Sequence, residues 1–281
     1  MKVYDLKVKH STTTTLFLEN YNELSLHTIR EDFQGQKLLG KWEPVKIQTY
    51  KKRKFNEFPY LIDEKPIVSY KAMNILMPYI STEVEFLPLI HDELDIFMIN
   101  VINILDCVDW QKSKAKWLQE KYFMGFDKLV FDYTKIPEQT YLFKIKEQAT
   151  SKVYVTELFK ELIEEHQLPG LDFSVVYDSE FTEEMEQVQQ RKYEAALQAI
   201  EHSKGTEFSY EEARILMEQG KAVASGKWRM LYDEKGELWL GELMVDLKYE
   251  WGRPAYIPPI LLGYLWHEVD YTQIKSKLPE E

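Results

Sequence analysis

The sequence has few of the residues that crosslink a chain or hold a metal. It contains a single cysteine, Cys107, among 281 residues. A disulfide within the chain and a multi-cysteine zinc site are therefore excluded. Because no histidine adjoins Cys107, a buried structural thiol is favoured over a catalytic nucleophile. We predict neither a metal nor a cofactor.

Long hydrophobic runs are also absent. The longest apolar stretch, 255–266, is too short to span a membrane and is interrupted by Pro258 and Pro259. Residues 1–7 mix charged and apolar side chains, and no apolar run typical of a signal peptide follows them. We therefore expect a cytoplasmic protein that does not contact a membrane.

Positive charge is scarce. Lysine and arginine number 35 against 47 acidic residues, which gives a net charge of −12. This balance disfavours nucleic acid as a partner, because phosphate binding needs a basic surface. One basic cluster is flanked by Glu43 and Glu57, and we predict that it forms a solvated, mobile loop. Its members are Lys46, Lys51, Lys52, Arg53 and Lys54.

The acidity is concentrated in one segment. Residues 156–186 contain ten acidic side chains and one basic one, Lys160, for a net charge of −9. Such a surface attracts basic protein partners through long-range electrostatics, although Glu-rich helices also serve simply to solvate a surface. The predicted partner-binding residues are Glu161, Glu164, Glu165, Asp172, Asp178, Glu183 and Glu184.

The hydrophobic pattern predicts an α+β fold with mostly antiparallel sheet and packed helices. One helix is expected to begin after Ser69, with Met73, Leu76, Met77 and Ile80 on its buried face. A second is expected to begin at Thr156 as its N-cap, and a long amphipathic helix covers 182–202. A loop-rich region is expected from 11 to 42. Strands are predicted at 3–8, 66–69, 84–89, 97–105, 128–133, 140–145, 153–155 and 171–177.

The last part of the chain differs from the rest in its residue pattern. Ser209 and Glu212 form a capping-box pattern, and the turn 233–236 predicts a β-hairpin between 227–232 and 238–249. We predict a domain at 1–180, a long helix or linker at 181–204, and a helix with a tryptophan-rich β-meander at 205–281. The meander either stands alone or completes the sheet of the first domain.

Catalytic motifs are few. His91 lies near Asp92, Glu93 and Asp95, but neighbours so close in sequence point in different directions on a regular element. A solvated turn is therefore favoured over a metal site. Scattered acids could still pair in space for acid/base chemistry. They include Asp106, Asp109 and Asp132.

Several short segments follow one another in a recognisable order. They are Trp42-Glu43-Pro44, 58–61, 67–72, 87–89, 99–109, 142–145, 153–159 and 168–173. Over residues 40–178 this progression resembles the eleventh immunity-protein family of bacterial polymorphic toxin systems. The resemblance implies a cytoplasmic protein that binds and neutralises a toxin, and it carries over no catalytic residue.

Together these observations predict a non-enzymatic immunity protein that occludes the active site of a cognate toxin. If that toxin has a basic cleft, the carboxylates of 156–186 could fill it as phosphate surrogates. Two alternatives remain. One is a hydrolase that uses clustered carboxylates with His91, and the other is a regulatory binding module, unrelated to toxins, that uses the aromatic side chains of the C-terminal segment.

Overall fold

The computed structural model describes residues 1–9, 13–19, 33–62, 65–119, 121–254, 256–271 and 278. These residues form two compact units, Met1–Glu180 and Phe181–Glu281. The sheets are dominated by antiparallel pairs and carry packed helices, which confirms the predicted α+β class. Among the helices in these ranges, none is both long and apolar enough to cross a bilayer.

The first unit contains three sheets. The strands are β1 Lys2–Val8, β2 Thr15–Leu18, β3 Val45–Lys51, β4 Tyr60–Leu61, β5 Ile67–Ser69, β6 Val84–Ile90, β7 Ile96–Val101, β8 Lys114–Leu118, β9 Tyr122–Lys128, β10 Leu142–Phe143, β11 Tyr154–Thr156 and β12 Leu171–Asp178. The first sheet has strand order β10-β11-β1-β12, the second has order β4-β2-β3-β6-β7-β5, and the third is the isolated pair β8-β9. Only β2-β4 and β3-β6 are parallel among the described pairs. The helices are α1 Tyr70–Ile80 and α2 Glu157–Glu165.

Helix α1 begins where the sequence predicted. The Ser69 hydroxyl accepts a hydrogen bond from the backbone N–H of Ala72, which is the expected N-cap geometry. Ala72, Met73, Leu76 and Ile80 are buried, whereas Met77 is 40 % exposed. The predicted inward position of Met77 is therefore wrong. The buried stripe passes through Ala72 and Leu76, four residues apart, and Met77 lies beyond its edge.

Three other predictions for this unit need correction. The predicted strand 128–133 is wrong: Phe131 makes a single bridge to Val108, and a 3-10 turn follows at Tyr133–Lys135. The strand predicted at 97–105 ends at Val101, because Ile102 and Asn103 donate their N–H groups to the Glu83 carbonyl instead. The region 11–42 contains β2, and its residues 11, 12 and 20–32 lie outside the described ranges.

The buried side chains of this unit form distinct clusters. One joins α1 and α2 to the first sheet through residues such as Leu76, Val155 and Phe159. Another surrounds Phe131 and contains Cys107. Burial raises the pKa of the Cys107 thiol to about 12, so the prediction of a buried structural thiol is confirmed.

The second unit is built on one antiparallel sheet. Its elements are α3 Glu183–Ser203, α4 Tyr210–Glu218, β13 Ala222–Ser225, β14 Trp228–Tyr232, β15 Leu238–Leu243, β16 Tyr249–Gly252, α5 Pro259–Leu262 and β17 His267–Val269. The strand order of the sheet is β16-β15-β14-β13-β17. The predicted capping box at Ser209 and Glu212 and the hairpin turn at 233–236 are both confirmed. The segment predicted as one strand, 238–249, is instead two strands separated by a turn in which Leu247 has a positive φ of 65°.

Gly241 is required where β15 passes beneath a tryptophan of β16. It pairs with Trp251, and a Cβ at this position would lie 2.7 Å from the indole ring. We expect Gly241→Ala to lower the free energy of unfolding of the second unit by about 1–3 kcal/mol, because the indole must move. The control is Gly252→Ala in the same strand pair, where nothing lies within 4 Å of the added Cβ. Urea denaturation of both variants checks the prediction, and equal losses would contradict it.

Candidate partner-binding surface

Helix α2 presents the central carboxylates of the acidic segment. Phe159, Leu162 and Ile163 are buried on its inner face. This spacing turns Glu161, Glu164 and Glu165 to the outer face, where all three are exposed as predicted. The residue before the helix behaves differently from the prediction: the Thr156 hydroxyl makes no capping bond and donates to the Thr140 carbonyl at 2.6 Å. That bond ties the start of α2 to the loop that precedes β10.

Tyr4 of β1 connects this helix with the end of β12. Its hydroxyl lies 3.5 Å from Glu157 and the Lys160 ammonium lies 5.5 Å above its ring. Burial raises the pKa of Tyr4, and the negative charges of Glu157, Asp178 and Glu164 raise it further. Carboxylates of α2 and that of Asp178, the last residue of β12, are therefore close enough to Tyr4 to act on the same hydroxyl.

The acids of strand β12 have lysines across the strand. In the antiparallel register of β1 and β12, Asp172 lies opposite Lys7 and Asp178 lies opposite Lys2. The Lys2 ammonium is 4.0 Å from the Asp178 carboxylate. The net charge of −9 along 156–186 is thus partly balanced by lysines of β1, near the N-terminus. A charge count restricted to residues 156–186 does not include them.

On α2 the charges are less balanced. Lys160 lies 3.6 Å from Glu164 one turn further along the helix. Glu161 and Glu165 are exposed and form no ion pair or side-chain hydrogen bond with the described residues. These two carboxylates are the strongest remaining candidates on this face for contact with a positively charged partner.

Glu183 and Glu184 lie in the second unit. They are exposed in the first turn of α3, where Thr182 accepts a hydrogen bond from the N–H of Met185 as N-cap. Acidic side chains at this position stabilise a helix by interacting with its dipole. The seven predicted partner-binding residues are therefore divided between two units, with five in the first.

A second exposed surface was missed from the sequence. The hairpin β8-β9 carries Trp117, Leu118, Tyr122 and Met124, whose side chains are each between 51 % and 58 % exposed. The signal was present: Lys114, Lys116 and Leu118 alternate with Ala115 and Trp117 at the period of a strand.

Three of the side chains considered for a hydrolase, His91, Asp109 and Asp132, make local hydrogen bonds. The His91 ring contacts the Thr49 hydroxyl through Nε2 at 3.1 Å and accepts the Glu93 N–H at Nδ1. Asp109 and Asp132 accept backbone N–H groups of the turns that follow them. Within the ranges that the structure describes, no group of three His, Cys, Asp or Glu side chains could hold a metal ion.

The basic cluster is more ordered than predicted. Lys46 and Lys51 belong to strand β3, so the prediction of a mobile loop is wrong for these two of the five members. Lys46 pairs with Glu19 at 3.1 Å and Lys52 pairs with Glu93 at 3.3 Å. These two acids come from other parts of the fold and offset two of the five positive charges of the cluster.

These features define an α+β protein that exposes carboxylates on one helix and apolar side chains on one hairpin. The sequence model of the Immunity protein family (Imm11) matches residues 88–178 of the chain. The predicted resemblance to an immunity-protein family is confirmed over this range, which includes β8, β9, α2 and β12. A search of curated proteins gave no match.

Proposed function

We propose that this chain is an immunity protein that binds a toxin of its own bacterial system and blocks the toxin's active site. The match of residues 88–178 to an immunity-protein family is the observation that carries the proposal. The exposed carboxylates of α2 lie inside the matched range and support binding through that helix. The protein is non-enzymatic and acts in the cytoplasm, where the toxin would otherwise act.

Inhibition is by occlusion of a basic cleft. Glu161 and Glu165 are free to pair with lysine or arginine side chains of the toxin, and Glu164 can exchange Lys160 for a toxin cation. Carboxylates accept the charge-assisted hydrogen bonds that such a cleft offers to phosphate. Buried charges are costly unless they are fully paired, so we assign the dominant role to these few acids. Asp172 and Asp178 contribute less because lysines of β1 already face them, and Glu183 and Glu184 supply further exposed carboxylates.

Co-expression tests the function. The toxin domain encoded beside this gene is expressed in a sensitive host with and without the chain, and survival is counted. Survival that depends on the chain, together with loss of toxin activity at a stoichiometric ratio of the purified proteins, supports the proposal. A toxin that kills equally in both strains and does not bind the chain would remove it.

The charge of α2 sets the association rate. We expect the double variant Glu161→Lys, Glu165→Lys to associate with the inactivated toxin about tenfold more slowly at low salt, because attraction becomes repulsion. The difference should shrink as salt is added. Stopped-flow mixing across ionic strengths measures it.

The matched control is Glu138→Lys, an exposed acid of the same unit in the loop before Thr140. It should leave the association rate close to that of the wild type. Equal rates for the double variant and the wild type, or rates indifferent to salt, would exclude steering by α2.

A further inference from the structure

The hairpin β8-β9 has two different faces. On one face Trp117, Phe123 and Phe126 form a ladder, with ring centroids 5.4 Å and 5.1 Å apart. Trp110 extends the ladder at 5.6 Å from Phe126. On the opposite face Leu118 pairs with Tyr122 across the strands, and Met124 follows two residues later. The aromatic face holds the hairpin together, and the other face is turned to solvent.

The side chains of the exposed face, Leu118, Tyr122 and Met124, take no part in the hydrophobic clusters that the described residues of the first unit form. A two-stranded hairpin alone is marginally stable in water, and here Phe126 fixes its base by packing against the cluster around Phe131. Leu118, Tyr122 and Met124 are each more than half exposed. Large apolar side chains held together in water are typical of binding surfaces, and aromatic residues and methionine are enriched in protein interfaces.

The charge of the hairpin is opposite to that of the chain. Residues 114–128, which span the hairpin, contain four lysines and two acids, a net charge of +2, whereas the whole chain carries −12. Lys114 and Lys116 are exposed and form no ion pair with the described residues. Their aliphatic stems can flank the apolar side chains while the ammonium groups reach outward. The face therefore complements an apolar pocket with an acidic rim.

We propose that the face formed by Lys116, Leu118, Tyr122 and Met124, here called the hairpin face, binds a protein surface that has an apolar pocket rimmed by Asp and Glu. This inference rests on the proposed function and names the toxin as that protein, at a site separate from its basic cleft. The hairpin face acts as the anchor that slows dissociation, and the carboxylates of α2 accelerate association.

A nucleic acid fits this face less well. Base stacking needs open aromatic planes, but Tyr122 is the one aromatic ring of the hairpin face, and the Lys121 ammonium lies 5.5 Å from its centroid. The other apolar side chains of this face, Leu118 and Met124, are not aromatic and suit an apolar pocket. The net negative charge of the chain further opposes a phosphate backbone.

The test measures binding of the full chain to the catalytically inactivated toxin domain encoded beside this gene. We expect Leu118→Ala combined with Met124→Ala to raise Kd by about tenfold or more, chiefly through faster dissociation. Lys114→Glu combined with Lys116→Glu should weaken binding by a similar factor, because repulsion replaces attraction at the rim. The control is Leu39→Ala combined with Ile90→Ala, two half-exposed apolar residues elsewhere in the first unit, which should change Kd less than twofold.

The outcomes separate this inference from the proposed function. Wild-type binding that neither hairpin variant weakens overturns the hairpin face as the anchor but leaves the immunity function standing. Wild-type protein that does not bind or neutralise the toxin overturns the immunity function. A fluorescent single-stranded oligonucleotide that binds the wild type but not the Leu118→Ala, Met124→Ala variant would overturn the choice of a protein partner. If the Leu118→Ala, Met124→Ala variant does not fold, the Kd of the Lys114→Glu, Lys116→Glu variant decides whether the hairpin face is the anchor.

Discussion

Replacing Phe131 by alanine is expected to lower the free energy of unfolding of the first unit by about 3–5 kcal/mol, the usual cost of a large cavity in a core. The Phe131 ring is 1 % exposed and contacts three other rings edge to face. Its centroid is 5.7 Å from Phe143, 5.3 Å from Tyr154 and 5.7 Å from Tyr177. Each such pair adds about 0.5–1.5 kcal/mol beyond area burial.

Hydrogen exchange of peptides from residues 1–180 measures this loss separately from the second unit. The control is Tyr133→Ala, two residues away and 52 % exposed, which should cost less than about 1 kcal/mol. Because Phe126 packs against the same cluster, exchange in the hairpin β8-β9 should also accelerate in the Phe131 variant. Equal protection in the two variants would show that the ring cluster does not stabilise the unit.

Lys144 is expected to make the stability of the first unit depend on pH. Its side chain is 4 % exposed, and its ammonium donates to the Phe33 carbonyl at 2.6 Å. Burial, together with a smaller effect of the nearby charge of Lys65, lowers the pKa of Lys144 from 10.5 to about 7. Between these two pH values the unfolded chain binds one proton more than the folded chain.

The direction of the pH dependence follows from this difference in bound protons. The free energy of unfolding should rise with pH by about 1.4 kcal/mol per unit between roughly pH 7 and 10, and the contribution of Lys144 should level off below that window. In Lys144→Met this contribution to the slope disappears. The Lys144→Met variant should also have a free energy of unfolding about 1–3 kcal/mol lower at every pH, because the Phe33 carbonyl loses its hydrogen-bond donor.

Urea denaturation from pH 6 to 10 compares the wild type, Lys144→Met and a control. The control is Lys146→Met, which removes an exposed lysine two residues away and should reproduce the wild-type slope. A Lys144→Met slope equal to that of the wild type would mean that this ammonium stays protonated in the folded protein.

Much of the local structure could be predicted because its causes lie within a few residues. The Ser69 cap, the capping box of Ser209 and the turn 233–236 depend on hydrogen bonds between near neighbours. The outer face of α2 follows from its helical spacing, which places Phe159 and Leu162 inward. The segments that carried the family resemblance within 88–178 are likewise contiguous in sequence.

The predictions were wrong where contacts with residues distant in sequence determine the structure. Thr156 lost its capping role because the Thr140 carbonyl competes for its hydroxyl. Lys46 and Lys51 of the basic cluster became part of strand β3 because it pairs with β2 and β6. In the same way, the lysines of β1 reduce the charge of β12 although more than 160 residues separate the paired positions.

The amino-acid sequence by itself determined the α+β class, the helix ends and the outward direction of Glu161 and Glu165, because these depend on period, capping and short-range hydrogen bonds. Tertiary structure decided which carboxylates keep their charge unpaired, that Lys144 is buried, and that the apolar side chains of β8-β9 remain in water. Burial and charge pairing are set by groups that meet only after the chain has folded, so the spacing of residues along the sequence does not contain them.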